Sequence, residues 1–268
     1  MNIIKHIKLI VMLGLSTAVL QVQAQRNKKD RYFDVYAGPS LGFRVLGNVK
    51  MPASYKGSEG DFKDSLDRAD RPGQSLNFGI QYMVKKSAFG AFSFGLSYTN
   101  MSFRRVAEDF KIGYEVHPDV GIVAGVIQAG ALRINYDIKH HYLEVPMLWH
   151  KSAEGYSNLQ DYDLWYTFGI APAVLLRQEM DIKLVGFTLN GKNRYRVQDS
   201  MITGMPFNAI VHLGFRSQYH MYKNLYGLVE PRLRVPILPS SRGAQQLWTP
   251  QFSLNVGLVF VLSKSKTK

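Results

Sequence analysis

Apolar and polar residues alternate one by one along much of this chain, and this alternation limits the fold more than any other feature of the sequence. A β-strand points successive side chains to opposite faces, so a period of two gives it one apolar and one polar face. In 251–262, Phe252, Leu254 and Val256 alternate with Ser253 and Asn255. The pattern occurs in eight segments, at about 33–45, 75–82, 92–99, 141–150, 166–177, 207–216, 225–235 and 251–262. We therefore predict an all-β chain with eight strands.

The connections between these segments alternate in length. Those at 46–73, 104–138, 178–205 and 236–247 are long, and those at 85–88, 152–163 and 219–224 are short. Long outward loops and short periplasmic turns are typical of transmembrane barrels whose strands run up and down. The prediction is an eight-stranded antiparallel up-and-down transmembrane β-barrel over residues 32–262.

The polar face separates this barrel from a soluble barrel of the lipocalin kind, which also alternates. A solvated outer face should be rich in Lys and Glu. Here the polar face is mostly Gly, Ser, Asn, Thr and Gln, and the other face is bulky and apolar. Small polar residues suit a narrow lumen and bulky apolar ones suit lipid, so the membrane barrel is favoured.

The N-terminus predicts export. Lys5 and Lys8 precede an apolar run at 9–20, and Val22-Gln23-Ala24 offers small residues for cleavage near Ala24/Gln25. We interpret 1–24 as a signal peptide, 25–31 as a periplasmic tail and 263–268 as a basic C-terminal tail. The predicted location is the cell outer membrane.

The formal net charge of +13 is an ambiguous signal. Such a balance often indicates nucleic acid, but export argues against a nucleic-acid partner. The two tails are basic and would meet anionic headgroups, so outer-membrane lipids are the predicted partners. The alternative is that the tails are solvated and keep the chain soluble in transit.

Charged residues on the polar face form the most notable candidate site. The interior of an eight-stranded barrel is filled by side chains. A charged side chain there must be paired, because removing one partner of a buried ion pair typically destabilises a protein by about 3–5 kcal/mol. We predict a network of Arg–Glu pairs that plugs the lumen. The alternative is a narrow ion or proton path. The predicted network comprises Glu144, Arg177, His212, Arg216, Glu230, Arg232 and Arg234.

The sequence offers no catalytic, cofactor or metal site. No Gly-x-Ser-x-Gly elbow occurs, and there is no cysteine. His140 and His141 are adjacent on a strand, so their rings should face opposite ways and cannot share a metal ion. We expect a protein that is not an enzyme.

Two further features concern the connections and the strands. Residues 120–132 are unusually apolar for a loop and could extend strands, fold into the mouth or dock a partner. Four prolines fall inside predicted strands, where each removes a hydrogen-bond donor, so we expect bulges or bends at those points. They are Pro39, Pro146, Pro172 and Pro231.

Three segments resemble a known family. The run Tyr142-Leu143-Glu144-Val145-Pro146-Met147-Leu148 is similar to the "YLEIPLL" strand of the PorT-like outer-membrane barrels of Bacteroidetes. The segments 36–42 and 168–172 resemble the Gly-rich strands of that family. The resemblance covers nearly all of the mature chain and implies an outer-membrane barrel of poorly defined role, since most relatives have no assigned activity. PorT itself belongs to a type IX secretion and gliding apparatus, which implies secretion-system proteins as partners.

The last strand resembles the signal that the barrel-assembly machinery reads. Asn255, Gly257, Phe260 and Leu262 match its polar, glycine and apolar positions, although six residues follow Leu262. The assembly machinery is therefore an expected partner during biogenesis. We predict a non-catalytic structural or partner-binding envelope component, accessory to protein secretion; the alternatives are a small porin-like pore and a lipid-modifying barrel enzyme.

Overall fold

Eight long antiparallel strands form the barrel in the part of the chain that the structure describes. The structure is a computed structural model, and it describes residues 30–49, 69–87, 89–107, 116–117, 121–122, 133–153, 162–186, 188, 191–197, 202–243 and 245–263. The strands are β1 (Asp30–Gly42), β2 (Asp70–Ser87), β3 (Gly90–Ala107), β4 (Arg133–Glu144, continued by Met147–Ser152), β5 (Tyr162–Val185), β6 (Phe207–Tyr222), β7 (Leu225–Pro236) and β8 (Gln251–Ser263).

Each strand pairs with the next one along the chain, and β8 pairs with β1 to close the ring. Closure leaves no free strand edge, which is the condition for β structure in lipid. The predicted eight-stranded up-and-down barrel is confirmed. The predicted signal peptide, most of the loop at 120–132 and the tail from 264 onward lie outside the described residues.

The two faces of the wall differ as the alternation requires. On β8, Phe252, Leu254 and Val256 are 42–50% exposed, whereas Ser253 and Asn255 are almost fully buried. Apolar side chains therefore cover the outside and polar ones fill the inside. The outward row of β8 runs from Phe252 to Leu262, which is roughly 25 Å along the barrel axis at about 3.3 Å per residue and about 40° of tilt. That height matches the apolar band of outer-membrane barrels.

The strands are longer than the sequence predicted on the outward side. β3, β4 and β5 project beyond the apolar belt, reaching Ala107, Arg133 and Val185 respectively. The loops add four short strands over the mouth: Val45–Val49 pairs with Gln245–Trp248, and Ile202–Gly204 pairs with Ser241–Gly243. Arg194–Val197 extends the sheet beside β5, and Val116–His117 pairs with Gly121–Ile122.

The lumen is layered rather than uniformly polar. Near the periplasmic end, Tyr32, Met83 and Trp165 form an apolar floor. At the mouth, Phe103 and Ile138 pack with Leu247 from the loop strand, and form an apolar cap. Charged side chains such as Asp34, Glu144 and Arg216 lie between these layers, whereas Arg44, Asp70 and Arg105 form a buried ion-pair group at the level of the cap. The cap was not predicted, because it depends on loop strands that fold back over the mouth.

The pairing shows no bulge at the four prolines, where we expected bulges or bends. The pairing register is the same on both sides of Pro39, Pro172 and Pro231. At Pro146 the strand is interrupted, but the register with both neighbours continues across the gap. The backbone tolerates the missing donors because the neighbouring residues keep the ladder; for example, Gly95 N donates to Pro146 O at 3.1 Å.

No helix among the described residues is long and apolar enough to cross a membrane.

Candidate luminal charge network

An ion pair between Asp34 and Arg216 crosses the lumen. Asp34 lies on β1 and Arg216 on β6, and these strands are not neighbours in the sheet. Arg216 Nη2 is 2.7 Å from Asp34 Oδ2, and both side chains are fully buried. The side-chain amide of Gln218, on the same face of β6, contacts the Arg216 guanidinium with its oxygen as acceptor. The pair therefore ties opposite walls of the barrel together.

A second pair, Glu144 with Arg234, also joins strands that are not neighbours. Arg234 on β7 donates a short charge-assisted hydrogen bond to the Glu144 carboxylate on β4. Ser97 Oγ donates to the other carboxylate oxygen at 3.4 Å, and His212 Nε2 lies 3.7 Å from that oxygen. Arg234 Nη1 donates to Gln251 Oε1 at 3.3 Å. Glu144 thus accepts hydrogen bonds from two other strands and lies close to a histidine of a third.

The third pair, Glu230 with Arg232, lies within one strand. The two residues are two positions apart on β7, so both point inward, and Arg232 Nη2 is 2.6 Å from Glu230 Oε2. The Arg232 guanidinium lies over the ring of Tyr36, 5.4 Å from the ring centroid. This cation–π contact links β7 to β1.

Each of these three pairs is neutral, so together they add no net charge to the lumen. Three carboxylates, Asp34, Glu144 and Glu230, face three arginines, Arg216, Arg232 and Arg234. Moving an unpaired ion to such a site costs several kcal/mol, and breaking a buried pair typically costs about 3–5 kcal/mol. The balance of charge is therefore a condition for the barrel to form with these residues inside it.

Arg177 does not belong to the network, contrary to the prediction. Its side chain is 54% exposed on the outer surface, where it pairs with Glu179 at 2.7 Å. The cause is a register shift opposite His141 and Tyr142: His141 pairs with Arg177, but Tyr142 pairs with Leu175. One extra residue on β5 reverses its alternation, and every later side chain of that strand changes face.

Asp34 was missed by the sequence analysis. It lies on the polar face of β1, but the predicted set held four arginines against two glutamates. That imbalance was the available signal, because buried charges must be compensated. Removing Arg177 and adding Asp34 restores equality.

Little free space remains beside the network in the middle of the lumen. Tyr36, Asn77, Thr99, His212 and Arg232 border a gap of about 170 Å³ that does not admit a water-sized sphere. The side chains fill the remaining cross-section, as expected for eight strands.

Chemistry in the lumen is limited by this packing. Ser93 Oγ lies 2.7 Å from His150 Nε2, and the other ring nitrogen of His150 is 3.0 Å from Thr167 Oγ1. All three side chains are buried, and no carboxylate takes the position that orients a catalytic histidine. These bonds satisfy buried polar groups. His140 is buried and His141 is part-exposed, in agreement with the predicted opposite faces. Within the described ranges, no group of three or more His, Cys, Asp or Glu could hold a metal ion.

The residues that resemble the assembly signal lie along the closing strand. Asn255 points into the lumen, and Phe260 and Leu262 point outward on β8. At Gly257 an added Cβ would lie 2.2 Å from Val35 O on β1, so only glycine permits this approach of the two strands. Gly257 therefore contributes to barrel closure, whatever machinery reads the strand.

Comparisons with known proteins yield architectural likeness only. No protein-family model matches the chain, and no curated protein matches it. Among solved structures, Neisserial surface protein A is similar at 8% identity and a TM-score of 0.41, covering 86% of this chain and 96% of that chain. OprG of Pseudomonas aeruginosa has 9% identity and a TM-score of 0.40, covering 88% and 98%. The Ail protein of Yersinia pestis, solved with a heparin analogue, has 10% identity and a TM-score of 0.34, covering 86% and 99%. The assignment of this chain as an eight-stranded barrel with an apolar belt rests on its own strand ring.

The Asp34–Arg216 pair offers a direct test of charge balance in the lumen. Arg216→Met should lower the free energy of unfolding by about 3–5 kcal/mol, because it leaves the Asp34 carboxylate buried and unpaired. Asp34→Asn combined with Arg216→Met should recover most of that loss. The measurement is urea unfolding of the protein in lipid vesicles.

Equal destabilisation by Arg216→Met in the presence and absence of Asp34→Asn would contradict the pairing. A matched control is Arg177→Met, which removes an arginine from the exposed outer surface and should change the unfolding free energy by less than about 1 kcal/mol.

Proposed function

We propose that this protein is a non-catalytic outer-membrane β-barrel whose lumen is a sealed structural plug, and that it acts by binding partners in the cell envelope. The observation that carries the proposal is the combination of an apolar outer belt with a lumen filled by paired charges. The belt explains residence in a bilayer. The plug leaves the outer surface and the mouth as the places where the protein can act.

The plug argues against a pore. An aqueous channel in a barrel needs many more strands, because eight strands enclose only enough space for side chains. Here Arg216 and Arg234 cross the lumen to their carboxylates, Arg232 pairs with Glu230 on its own strand, and the apolar cap around Leu247 lies above them. An ion would have to break these pairs and pass two apolar layers.

Support for a role without catalysis comes from the same geometry. The Ser93–His150 contact is enclosed in the wall, out of reach of a lipid or a peptide. A catalytic group must reach its substrate within hydrogen-bonding distance.

An accessory role in protein secretion is the finer part of the proposal. It is supported by the resemblance of the segment at 142–148, in the middle of β4, to the PorT-like strand. In this structure Tyr142 Oη donates to Met205 O at 2.9 Å, and Glu144 holds the luminal network, so the segment joins the wall to the mouth. The expected partners are secretion-system proteins, the barrel-assembly machinery during biogenesis and outer-membrane lipids, with no nucleic acid.

Bilayer recordings test the sealed lumen. The purified protein, reconstituted in a planar bilayer, should give no steady single-channel steps, because the ion pairs and the apolar layers block the path. Insertion is checked in parallel by protease protection in vesicles, and protein-free bilayers provide the baseline. Steady, voltage-independent steps from inserted protein would contradict the plug and favour a pore.

A deletion strain tests the secretion role. Loss of this chain should leave exported surface proteins in the periplasm, because an envelope partner of the export machinery would be missing. Expression of the wild-type chain should restore export. An unchanged surface-protein profile in the deletion strain would contradict the secretion role while leaving the barrel assignment intact.

A further inference from the structure

A charged surface lies on the outside of the barrel, just above the apolar belt on one side. We call it the outer charged face; it consists of Arg71 and the outward side chains of 104, 137–139, 177–183 and 194–196. These residues form aligned rows across the sheet, because they are register partners on adjacent strands. Lys139 lies opposite Glu179. In the next row, Arg104, Asp137, Asp181 and Arg196 lie side by side on four strands. The face therefore belongs to the strand extensions of β2 to β5 and the strand Arg194–Val197.

Basic residues dominate this face. Among its described residues, seven cations stand against three carboxylates, a net charge of +4. Each carboxylate already has basic partners: Asp137 binds Arg104 at 2.6 Å, Glu179 binds Arg177 at 2.7 Å, and Asp181 binds Arg196 at 2.8 Å.

Asp181 illustrates how fully the carboxylates are engaged. Burial raises the pKa of Asp181, but hydrogen bonds from Arg196 and Lys139 outweigh it and hold the pKa below its usual value. The Asp181 carboxylate is therefore already bound by Arg196 and Lys139, and does not also neutralise the remaining cations.

Three cations are left over on the two flanks of the face. Arg71, Lys183 and Arg194 have no acidic partner within 4 Å in the described parts of the chain. Arg71 stands directly opposite Arg104, and Lys183 stands directly opposite Arg194. Like charges in directly opposed cross-strand positions are destabilising. An anion seated between each pair would remove that cost.

The height of the face indicates the size of the anionic group. Each two-residue step along a strand rises about 5 Å, at about 3.3 Å per residue and about 40° of tilt. On β5, Arg177 directly follows the outward apolar Leu176, and Lys183 is three such steps, or about 15 Å, above Arg177. The headgroup layer of an ordinary bilayer is only about 5–8 Å thick on each side.

We infer that the outer charged face binds the phosphate-bearing saccharide headgroup of a glycolipid in the outward leaflet. A phosphorylated saccharide can reach the several rows of this face, which a small phospholipid headgroup cannot. Arg and Lys offer the charge and the hydrogen-bond donors that phosphate accepts. This inference rests on the proposed membrane location and adds a specific lipid class to it.

The test compares three proteins in nanodiscs of zwitterionic phosphatidylcholine. They are the wild type, the variant R71Q/K183Q/R194Q, and the charge-matched control K86Q/K151Q/K223Q, which loses three exposed lysines at the opposite rim. The probe is a short-core lipopolysaccharide, and binding is followed by native mass spectrometry and by thermal unfolding. Phosphatidylglycerol and inorganic phosphate are separate arms.

Wild type and control should bind the lipopolysaccharide and unfold at a higher temperature with it. R71Q/K183Q/R194Q should bind it more weakly, by on the order of fivefold for each cation removed, as for basic residues near an anionic surface. Without the glycolipid this variant should be at least as stable as the wild type, because the opposed like charges are gone.

Each remaining outcome counts against a defined part of the account. Equal binding by R71Q/K183Q/R194Q and wild type would overturn the site. Equal stabilisation by phosphatidylglycerol, or displacement of the glycolipid by inorganic phosphate, would overturn the choice of a saccharide headgroup. Failure of the wild type to enter nanodiscs would contradict the proposed function itself, whereas entry without glycolipid binding would contradict this inference alone.

Discussion

The structure depends on one constraint: a closed wall of eight strands has hydrocarbon on one side and almost no space on the other. Bulky apolar side chains must point outward, and whatever points inward must fit together and satisfy its own hydrogen bonds. Ser253 and Asn255 can share the lumen with Arg232 because they are short, and Leu254 between them has no place there. Sidedness and packing are thus two results of the same geometry.

Electrostatics inside the wall follow from that constraint. Asp34–Arg216 and Glu144–Arg234 each join strands that do not touch in the sheet, and Arg232 reaches Tyr36 across the intervening strand β8. Such contacts add no net charge to the lumen, yet they specify which strands face one another. Buried pairs are weak evidence for stability but can contribute to register. Among the described residues, the outer charged face carries an excess of cations that these luminal pairs do not.

Much of the wall could be predicted from the sequence, because alternation is local. The outward row of β8 and the inward positions of Glu144 and Arg216 needed only the parity of a regular strand. Arg177 could not be placed in that way, since a single extra residue on β5 reverses the faces and nothing in the local sequence marks it. The apolar cap around Leu247 and the like-charge pair Lys183–Arg194 depend on contacts between distant segments, which no local pattern contains. The expected bulges do not form at the prolines, because the neighbouring backbone keeps its register around them.

Single-cysteine scanning of β8 in lipid measures the sidedness of the wall most directly, and the chain has no cysteine of its own to remove. Cysteines placed one at a time at 252–257 would each carry a small fluorophore. Brominated lipid would quench the fluorescence of every fluorophore that lies in the hydrocarbon. The account predicts quenching at 252, 254 and 256 with little at 253 and 255, the period of two that a barrel wall imposes. Equal quenching at all positions, or quenching at 253 and 255 instead, would contradict it.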